Sequence, residues 1–376
     1  MDPSIRLLRD LVAIDSVNPS LVRGAAGEAE IAELIARHLR ALGLDVHLQD
    51  VAPGRQNVVG VLHGPEPGRS LMLCGHVDTV GVEGMDAPFD PVEKDGRLFG
   101  RGAQDMKGGL AAMIDAVRIL KDRNWRRGRI IVAAVVDEEY ASLGADALVR
   151  AWTADAAVVT EPTDLQIGIG HRGFAWFEIE TVGRAAHGSR PKDGVDAIVR
   201  MGRVLLALER LDRDLQARPE HPVMGTPSLH ASIIDGGREL SSYPDRCRLQ
   251  LERRTVAGES DGSTIAELRA MLDRLSAEDS MFQANCRLVF SRPPYHVPEG
   301  HPLLGLLQSA AAAAGCRAGP TGMSFWTDAA VLGAAGIPSV LFGPGGAGLH
   351  STKEYVNVAD VVACRDALVR LAELWL

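Results

Sequence analysis

The sequence has 376 residues, of which 46% are hydrophobic and 24% are charged, and its formal net charge is −9. This composition is that of a folded globular protein and differs from that of disordered or membrane chains. The acidic balance argues against nucleic acid as a partner, because nucleic-acid binding needs Lys and Arg side chains gathered on one face. The length favours two domains over one.

The N-terminus and the cysteines indicate the cellular compartment. The first residues, Met1-Asp2-Pro3, lack the basic start and apolar stretch of a signal peptide, and no apolar run reaches the roughly 18 residues of a membrane span. The five cysteines are scattered and lack CxxC spacing, which is typical of unpaired thiols in a reducing compartment. We expect a cytoplasmic protein that does not enter a membrane.

The first 160 residues alternate between helical and strand patterns. Leu and Ile at three- and four-residue spacing predict helices at 4–12 and 27–42. Two further helices are predicted at 109–120 and 144–151. Short β-branched or apolar runs predict strands at 58–62, 70–74, 129–136 and 156–160. The run RIIVAAVV (129–136) is apolar throughout, as expected of a strand buried on both faces. The alternation predicts an α/β domain with a mostly parallel sheet flanked by helices.

The pattern changes near residue 170. The order becomes strand–helix–strand–strand–helix–strand, which is typical of a ferredoxin-like α+β module. Its predicted elements are strands at 174–182, 228–234, 245–253 and 286–290 and helices at 196–211 and 263–275. The α/β pattern then returns, with helices at 302–314 and 359–374 and a strand at 337–342. We therefore predict a discontinuous domain of residues 1–171 and 293–376, interrupted by an inserted domain of residues 172–292.

A glycine-rich stretch, GIGHRG (168–173), matches the GxGxxG fingerprint of dinucleotide-binding proteins. That fingerprint requires a helix next, because the helix N-terminus binds the pyrophosphate. The residues that follow, FAWFEI (174–179), have a strand pattern instead. We interpret the stretch as the crossing between the two domains and exclude a dinucleotide oxidoreductase.

Metal-type side chains follow three of the predicted strands. Open α/β sheets bind their ligands at the carboxyl ends of strands, so these side chains are expected at one edge of the sheet. Adjacent carboxylates at such an edge repel each other unless a cation or a proton separates them. The residues are His76 and Asp78 after strand 70–74, Asp137, Glu138 and Glu139 after strand 129–136, and Glu161 after strand 156–160.

Two more metal-type residues lie in glycine-rich surroundings. Asp105 lies within GRGAQDMKGG (100–109), just before a predicted helix, where it either caps that helix or bridges two ions with one oxygen each. His350 follows a glycine-rich segment at 343–346. Each motif is ambiguous alone, but together they predict a metal site.

The order His-x-Asp, Asp, Glu-Glu, Glu, His closely resembles the zinc-dependent aminoacylase/carboxypeptidase G family, which includes acetylornithine deacetylase and succinyl-diaminopimelate desuccinylase. The resemblance covers nearly the whole chain. It implies two Zn²⁺ ions, one held by His76, Asp105 and Glu161 and the other by Asp105, Glu139 and His350. It further implies that Asp78 orients His76 by accepting a hydrogen bond from the ring, and that Glu138 is the general base. Ligand type leaves Co²⁺ and Mn²⁺ open as alternatives.

The resemblance also assigns substrate contacts. GRAAHGSRP (183–191) resembles the family's lid histidine motif, in which His187 would donate to the oxyanion, in family dimers at the partner's site. LERRT (251–255) resembles the lid arginine motif; we match Arg253 to the arginine that binds the substrate carboxylate, with Arg254, on the opposite face of the strand, as the alternative. Gly345 and Gly346 either offer N–H groups to the same carboxylate or form a tight turn. The resemblance implies a homodimer formed through the inserted lid domain.

The function predicted from these residues is hydrolysis of the amide bond of an N-acyl amino acid, of the deacetylase or desuccinylase kind. A carboxypeptidase or dipeptidase of the same family, acting on a short peptide, is the alternative. A non-catalytic protein that binds an amino-acid-like ligand on the same fold is the alternative from another class. Glu138 and the complete ligand set favour an enzyme.

Overall fold

In the computed structural model, which describes residues 1–375, the chain separates into two compact units. The first unit comprises residues 1–170, 297–322 and the chain from 327 onward. The second comprises residues 171–296 together with 323–326. The boundaries expected from the sequence, 171/172 and 292/293, lie a few residues from these, and the short segment 323–326 was expected in the first unit.

The helices and strands have the following bounds. The helices are α1 Pro3–Val12, α2 Ala29–Ala41, α3 Gly108–Asp122, α4 Leu143–Ala151, α5 Ala197–Gln216, α6 Asp261–Glu278, α7 Pro302–Ala313, α8 Ala329–Ala334 and α9 Val358–Trp375. The strands are β1 Asp45–Ala52, β2 Arg55–His63, β3 Glu66–His76, β4 Val92–Lys94, β5 Arg97–Phe99, β6 Arg127–Val135, β7 Ala156–Val159, β8 Ile167–His171, β9 Gly173–Val182, β10 Ser228–Gly236, β11 Arg246–Thr255, β12 Gln283–Arg292, β13 Tyr295–His296, β14 Pro320–Met323, β15 Ser339–Leu341, β16 Gly346–Ala347 and β17 Tyr355–Asn357.

The first unit is built on a sheet whose central strands are parallel. Its strands run in the order β1-β2-β6-β3-β7-β15-β8, and the pairs β6–β3, β3–β7 and β7–β15 are parallel. β3, β6 and β7 are apolar and buried where they pair, because helices cover both faces of such a sheet. The predicted α/β class with a mostly parallel sheet is confirmed.

A second, small sheet in the first unit has the order β16-β17-β5-β4. All its strands are two or three residues long. The register pairs Tyr355 with Phe99 and Val356 with Leu98. This pairing brings the chain after His350 alongside the chain that leads to Asp105.

The second unit is an antiparallel sheet, in the order β10-β11-β9-β12, with α5 and α6 on one face. Residues alternate across this sheet, so Phe177, Ile179, Leu249 and Leu251 lie in the core beneath the helices. The open face has no such core. The structure therefore supports the predicted ferredoxin-like module.

The predicted helices and strands are present, with ends shifted by a few residues, but several strands were not predicted. β1 is largely exposed and has few apolar residues, and β4, β5, β16 and β17 are too short to show a period. The GIGHRG stretch is strand β8 leading into strand β9, as the exclusion of a dinucleotide site requires. Among residues 1–375, no helix combines the length and hydropathy needed to cross a bilayer.

We predict that Gly109→Ala destabilises the first unit by about 3 kcal/mol or more, because a Cβ there would lie 1.9 Å from the carbonyl oxygen of Thr160. Gly305→Ala is the matched control. Gly305 lies inside α7 with nothing within 4 Å of an added Cβ, so alanine should stabilise that helix by about 0.5–1 kcal/mol. Urea unfolding of both variants measures the difference; equal stabilities would contradict the close approach of α3 to β7.

Candidate metal centre

The carboxyl ends of three neighbouring parallel strands bring predicted ligands together. His76 is the last residue of β3, Glu138 and Glu139 lie just beyond β6, and Glu161 lies just beyond β7. Because β6, β3 and β7 are adjacent and parallel, these residues share one edge of the sheet. The pairing of these apolar strands thus sets the positions of the polar side chains at their ends.

Asp105 occupies the middle of this cluster. It lies in an irregular turn, Ala103–Lys107, just before α3, and its peptide bond to Met106 is cis. Its Oδ1 lies 3.1 Å from Nε2 of His76, and its Oδ2 lies 3.4 Å from Nε2 of His350. One carboxylate therefore presents a separate oxygen to each imidazole, as a carboxylate that bridges two ions must.

The remaining carboxylates close the cluster on both sides. Oε2 of Glu139 lies 3.1 Å from Nε2 of His350. On the other side, Nε2 of His76 lies 3.9 Å from Glu138 and 4.0 Å from Glu161. The potential ligand atoms of two triads, His76-Asp105-Glu139 and His76-Glu138-Glu161, each lie within 4.8 Å of one another.

The charge and burial of this cluster fit divalent cations. Oε1 of Glu139 and Oε1 of Glu161 are buried and have no hydrogen-bond partner among the described residues. Burial raises the pKa of Glu138 and of Glu161 well above the usual range, and burial together with Asp105 raises the pKa of Glu139 to about 7. Imidazole and carboxylate ligands without thiolate suit a catalytic zinc site. The residues present therefore fit a pair of such ions.

The orientation of His76 differs in detail from the prediction. Its Nδ1 lies 2.9 Å from the backbone carbonyl oxygen of Asp78 and 3.7 Å from the Asp78 carboxylate. The carbonyl is thus the hydrogen-bond acceptor, because only it lies within hydrogen-bond distance. With the proton on Nδ1, Nε2 of His76 is left with its lone pair toward the cluster.

The Asp78 carboxylate instead holds the loop that follows β6. Its oxygens accept the backbone N–H groups of Glu138 and Glu139, both at 3.1 Å, and the Asn18 amide at 2.7 Å. Asp78 therefore orients His76 through its carbonyl and the Glu138–Glu139 backbone through its carboxylate.

A buried network that sequence reasoning missed stabilises Asp78 through hydrogen bonds and ion pairs. The Asn18 amide also donates to Asp137, at 3.1 Å. The Arg55 guanidinium pairs with Asp137 at 2.8 Å and with Glu28, whose side chain is fully buried. Arg55 supplies the positive charge that these carboxylates require inside the protein. No local motif marks Asn18, Glu28 or Arg55, since they meet only in the folded chain.

His187 and the turn beside it lie in the second unit. His187 is exposed, and its Nδ1 lies 2.8 Å from the Ser189 hydroxyl. A backbone bridge joins His187 to Ser242 in the turn 239–244. Ser242 itself donates to Glu239 at 2.6 Å. The His187 ring therefore remains accessible on the surface of this unit.

The structure argues against Arg253 as a carboxylate-binding residue. Its guanidinium is 1% exposed, on the face of β11 that packs beneath the helices, and it pairs with Glu259 and with Glu267 at 2.7 Å. Arg254 lies on the open face, pairs with Glu252 at 2.7 Å and stacks over the Phe174 ring at 5.7 Å. Of the two arginines, Arg254 is the more accessible, with 33% of its side chain exposed.

The two glycines after β15 differ in their surroundings. The Gly346 N–H faces Asp164 at 3.4 Å, and a Cβ on Gly346 would lie 2.1 Å from the Tyr355 carbonyl oxygen. Close packing thus explains Gly346 without a substrate. A Cβ on Gly345 would approach the carboxylates of Asp164 and Asp360.

The model of the peptidase family M20/M25/M40 matches residues 72–374. The chain belongs to this family. The matched range contains every predicted metal ligand, from His76 to His350, and the family resemblance predicted from the motifs is confirmed.

Curated relatives match the chain along nearly its whole length. It is 31% identical to an N-formyl-4-amino-5-aminomethyl-2-methylpyrimidine deformylase of Bacillus subtilis, over 95% of the chain and 91% of the relative. It is also 31% identical to the acetylornithine deacetylase of Myxococcus xanthus, over 98% of the chain and 96% of the relative.

Solved structures share the fold at lower identity. A tripeptidase from Staphylococcus aureus superimposes with a TM-score of 0.83 at 23% identity, covering 99% of this chain and 97% of that one. A dinuclear metal-binding peptidase from Bacillus subtilis superimposes with a TM-score of 0.76 at 18% identity, covering 98% and 96%. Together with the metal-type cluster, these findings make the M20 chain a metal-dependent hydrolase of C–N amide bonds.

Removing the metal should make stability depend on pH. In metal-free protein the pKa of Glu139 is raised from 4.5 to about 7, so between these values the folded state binds more protons than the unfolded state. The free energy of unfolding should then fall as pH rises, by on the order of 3 kcal/mol between pH 5 and 8. Metal-loaded protein should lack this fall. Urea unfolding with and without a chelator measures it; parallel pH profiles would contradict the assignment.

Proposed function

We propose that this M20 enzyme removes the acyl group from an N-acyl amino acid, using two zinc ions. The observation that carries the proposal is Asp105, whose two oxygens face His76 and His350 separately, with Glu138 beside His76. Two curated relatives at 31% identity, a deformylase and an acetylornithine deacetylase, each remove a small acyl group by name. Both support a deacylase over an enzyme that cuts long peptides.

We assign one ion to His76, Asp105 and Glu161 and the other to Asp105, Glu139 and His350. When bound, the two ions supply Lewis acidity that polarises the amide carbonyl and acidifies the attacking water. The chain itself contributes the fixed spacing of the ligands. His76 and Glu161 are at the ends of paired strands, whereas His350 lies in a loop with its side chain 54% exposed.

Glu138 is the residue that we propose as general base. Only 11% of its side chain is exposed, next to His76, and this partial removal from water raises the pKa of its carboxyl group. Its backbone N–H donates to the Asp78 carboxylate, and this hydrogen bond fixes the backbone from which the Glu138 side chain extends. In this role Glu138 takes a proton from the attacking water and delivers it to the leaving nitrogen.

The substrate contacts that we propose come from the lid residues Arg254 and His187 and from Gly345 in the first unit. Arg254 would bind the carboxylate of the amino acid, because a guanidinium matches a carboxylate bidentately. His187 would donate to the oxyanion, and Gly345 would offer its N–H to the carboxylate. Glu252 already pairs with Arg254 and holds it on the open face of the sheet.

A homodimer through the lid is part of the proposal. Ile233 and Ile234 lie on the edge strand β10 and are 61% and 53% exposed, and Val199 and Leu206 on α5 are 59% and 58% exposed. Exposed apolar side chains on an unpaired edge strand favour association with a second copy. The cytoplasm is the proposed compartment, because all five cysteines are unpaired thiols.

We predict that Glu138→Gln keeps both metal ions and lowers kcat by about 10²–10⁴-fold, because general base catalysis supplies an acceleration of that size. Metal content measured by elemental analysis and turnover of an N-acyl amino acid test it together. Glu33→Gln, on the exposed face of α2, is the control and should behave as wild type. A Glu138→Gln enzyme with undiminished kcat would exclude Glu138 as the base.

Substitutions of the two lid arginines should have different effects on KM and on stability. Arg254→Met should raise KM about 10–100-fold, because it removes a charge-assisted contact to the substrate carboxylate. Arg253→Met should leave KM near the wild-type value but destabilise the second unit, since Glu259 and Glu267 lose their buried cation and keep only the more exposed Arg218. Steady-state kinetics and thermal unfolding of both variants measure this. The reverse pattern would return the role to Arg253.

A hydrolysis screen identifies the substrate class. Purified enzyme with added zinc is tested on N-formyl, N-acetyl and N-succinyl amino acids and on dipeptides. We expect turnover of at least one N-acyl amino acid, abolished by a chelator and restored by Zn²⁺. Turnover of dipeptides alone would replace the deacylase proposal by the peptidase alternative.

A further inference from the structure

Glu354 is a buried carboxylate that the proposed chemistry does not use. It lies four residues after His350, its side chain is 1% exposed, and it is outside both triads of the metal centre. A buried carboxylate needs compensation from hydrogen bonds or from a cation. Its partners therefore show what it does in the fold.

All four hydrogen bonds that the Glu354 carboxylate accepts come from the loop that carries Asp105. Its Oε1 accepts the backbone N–H groups of Gln104 at 2.9 Å and Asp105 at 3.1 Å. Its Oε2 accepts the N–H of Gly102 at 3.0 Å and the Arg101 guanidinium at 2.6 Å. A single side chain thus satisfies three amides of an irregular loop that has no ladder of its own.

Arg101 extends the connection back to the loop that carries His350. Its second terminal nitrogen donates to the Ser351 carbonyl oxygen at 3.1 Å, one residue after His350. The Gly100 N–H donates to the Glu354 carbonyl oxygen at 3.2 Å. The Asp105 loop and the His350 loop are therefore tied to each other by side-chain and backbone bonds.

The two loops differ in this respect from the rest of the metal centre. His76 and Glu161 are at the ends of β3 and β7, whose positions are set by the pairing of a large buried sheet. His350 has a positive φ of 57°, and it is connected to Asp105 through the Glu354 contacts. The separation between Asp105 and His350, 3.4 Å between facing atoms, thus depends on Glu354.

We infer that Glu354 is a positioning residue that sets the distance between Asp105 and His350, and so the affinity of the ion assigned to Asp105, Glu139 and His350. This inference rests on the proposed metal-dependent function. The ion assigned to His76, Asp105 and Glu161 depends on Glu354 less, because two of its three ligands are fixed by the sheet.

The test is Glu354→Gln, which keeps the size of the side chain but replaces one acceptor oxygen by an NH₂ group. Whichever way the amide turns, that NH₂ faces donors of the Asp105 loop. Metal-free protein is titrated with Zn²⁺ and binding is followed by calorimetry. We expect one ion to bind with wild-type affinity and the second at least tenfold more weakly. At limiting zinc kcat should fall, and it should recover at excess zinc with KM unchanged.

Glu373→Gln is the matched control, because Glu373 pairs with Arg123 and Arg370 on the surface of the same unit. It should bind two ions as the wild type does. If Glu354→Gln does not fold, Arg101→Lys decides: it keeps the cation beside Glu354 but loses the fork that also reaches Ser351, and should weaken the same ion about threefold or more.

Three results would overturn the inference: two ions bound by a folded Glu354→Gln variant with wild-type affinities, an equal loss at both ions, or a wild-type protein that binds a single ion. A loss of zinc affinity confined to one of the two ions supports the inference. A wild type that binds two ions yet hydrolyses no N-acyl amino acid or peptide would refute the proposed function alone, and the titrations would still decide the role of Glu354.

Discussion

Repulsion among buried carboxylates is the constraint on which the site depends. Asp105, Glu138, Glu139 and Glu161 lie within a few ångströms of two imidazoles and are largely removed from water. In a medium of low dielectric, such charges are tolerated only beside cations or protons. In the metal-free chain, the unfavourable burial of these charges raises the pKa of Glu138, Glu139 and Glu161. Metal binding and the stability of this edge of the sheet are therefore linked.

The remainder of the first unit holds these charges in place despite their repulsion. The parallel pairing of β6, β3 and β7 fixes three attachment points at one edge. Behind them, Asp78 orients His76 with its carbonyl and the Glu138–Glu139 backbone with its carboxylate. Because one residue does both, a ligand and the proposed base share a single support. Asn18 and Arg55 stabilise that support in turn.

The parts of the site that the sequence predicts are those carried by local patterns. His76, Glu139 and Glu161 could be found because each follows a short apolar strand, and strand ends are where such sheets bind ligands. Asn18, Glu28 and Arg55 could not, since nothing in their neighbourhoods distinguishes them from surface polar residues. β1 was missed because an exposed edge strand lacks the apolar run that marks its neighbours.

The two lid arginines differ in which face of β11 they occupy, and the strand period predicts that difference. Cys247, Leu249 and Leu251 alternate with polar residues, so odd positions of β11 face the core. Continued by one step, that alternation buries Arg253 and leaves Arg254 on the open face. A motif match alone does not distinguish the two faces of a strand, whereas the strand period does.

The insertion of the second unit within the first has a consequence for synthesis. Glu161 precedes the inserted residues and His350 follows them, so about 190 residues separate the two ligands along the chain. At roughly 5–20 residues per second, the ribosome needs on the order of 10–40 s to pass from one to the other. During that interval the emerging chain carries clustered carboxylates without the last imidazole. The inserted unit is contiguous apart from residues 323–326, and nearly all of it is made before the metal centre is complete. The second unit is thus fully synthesised before the first, and a metal centre that includes His350 is completed only near the end of synthesis.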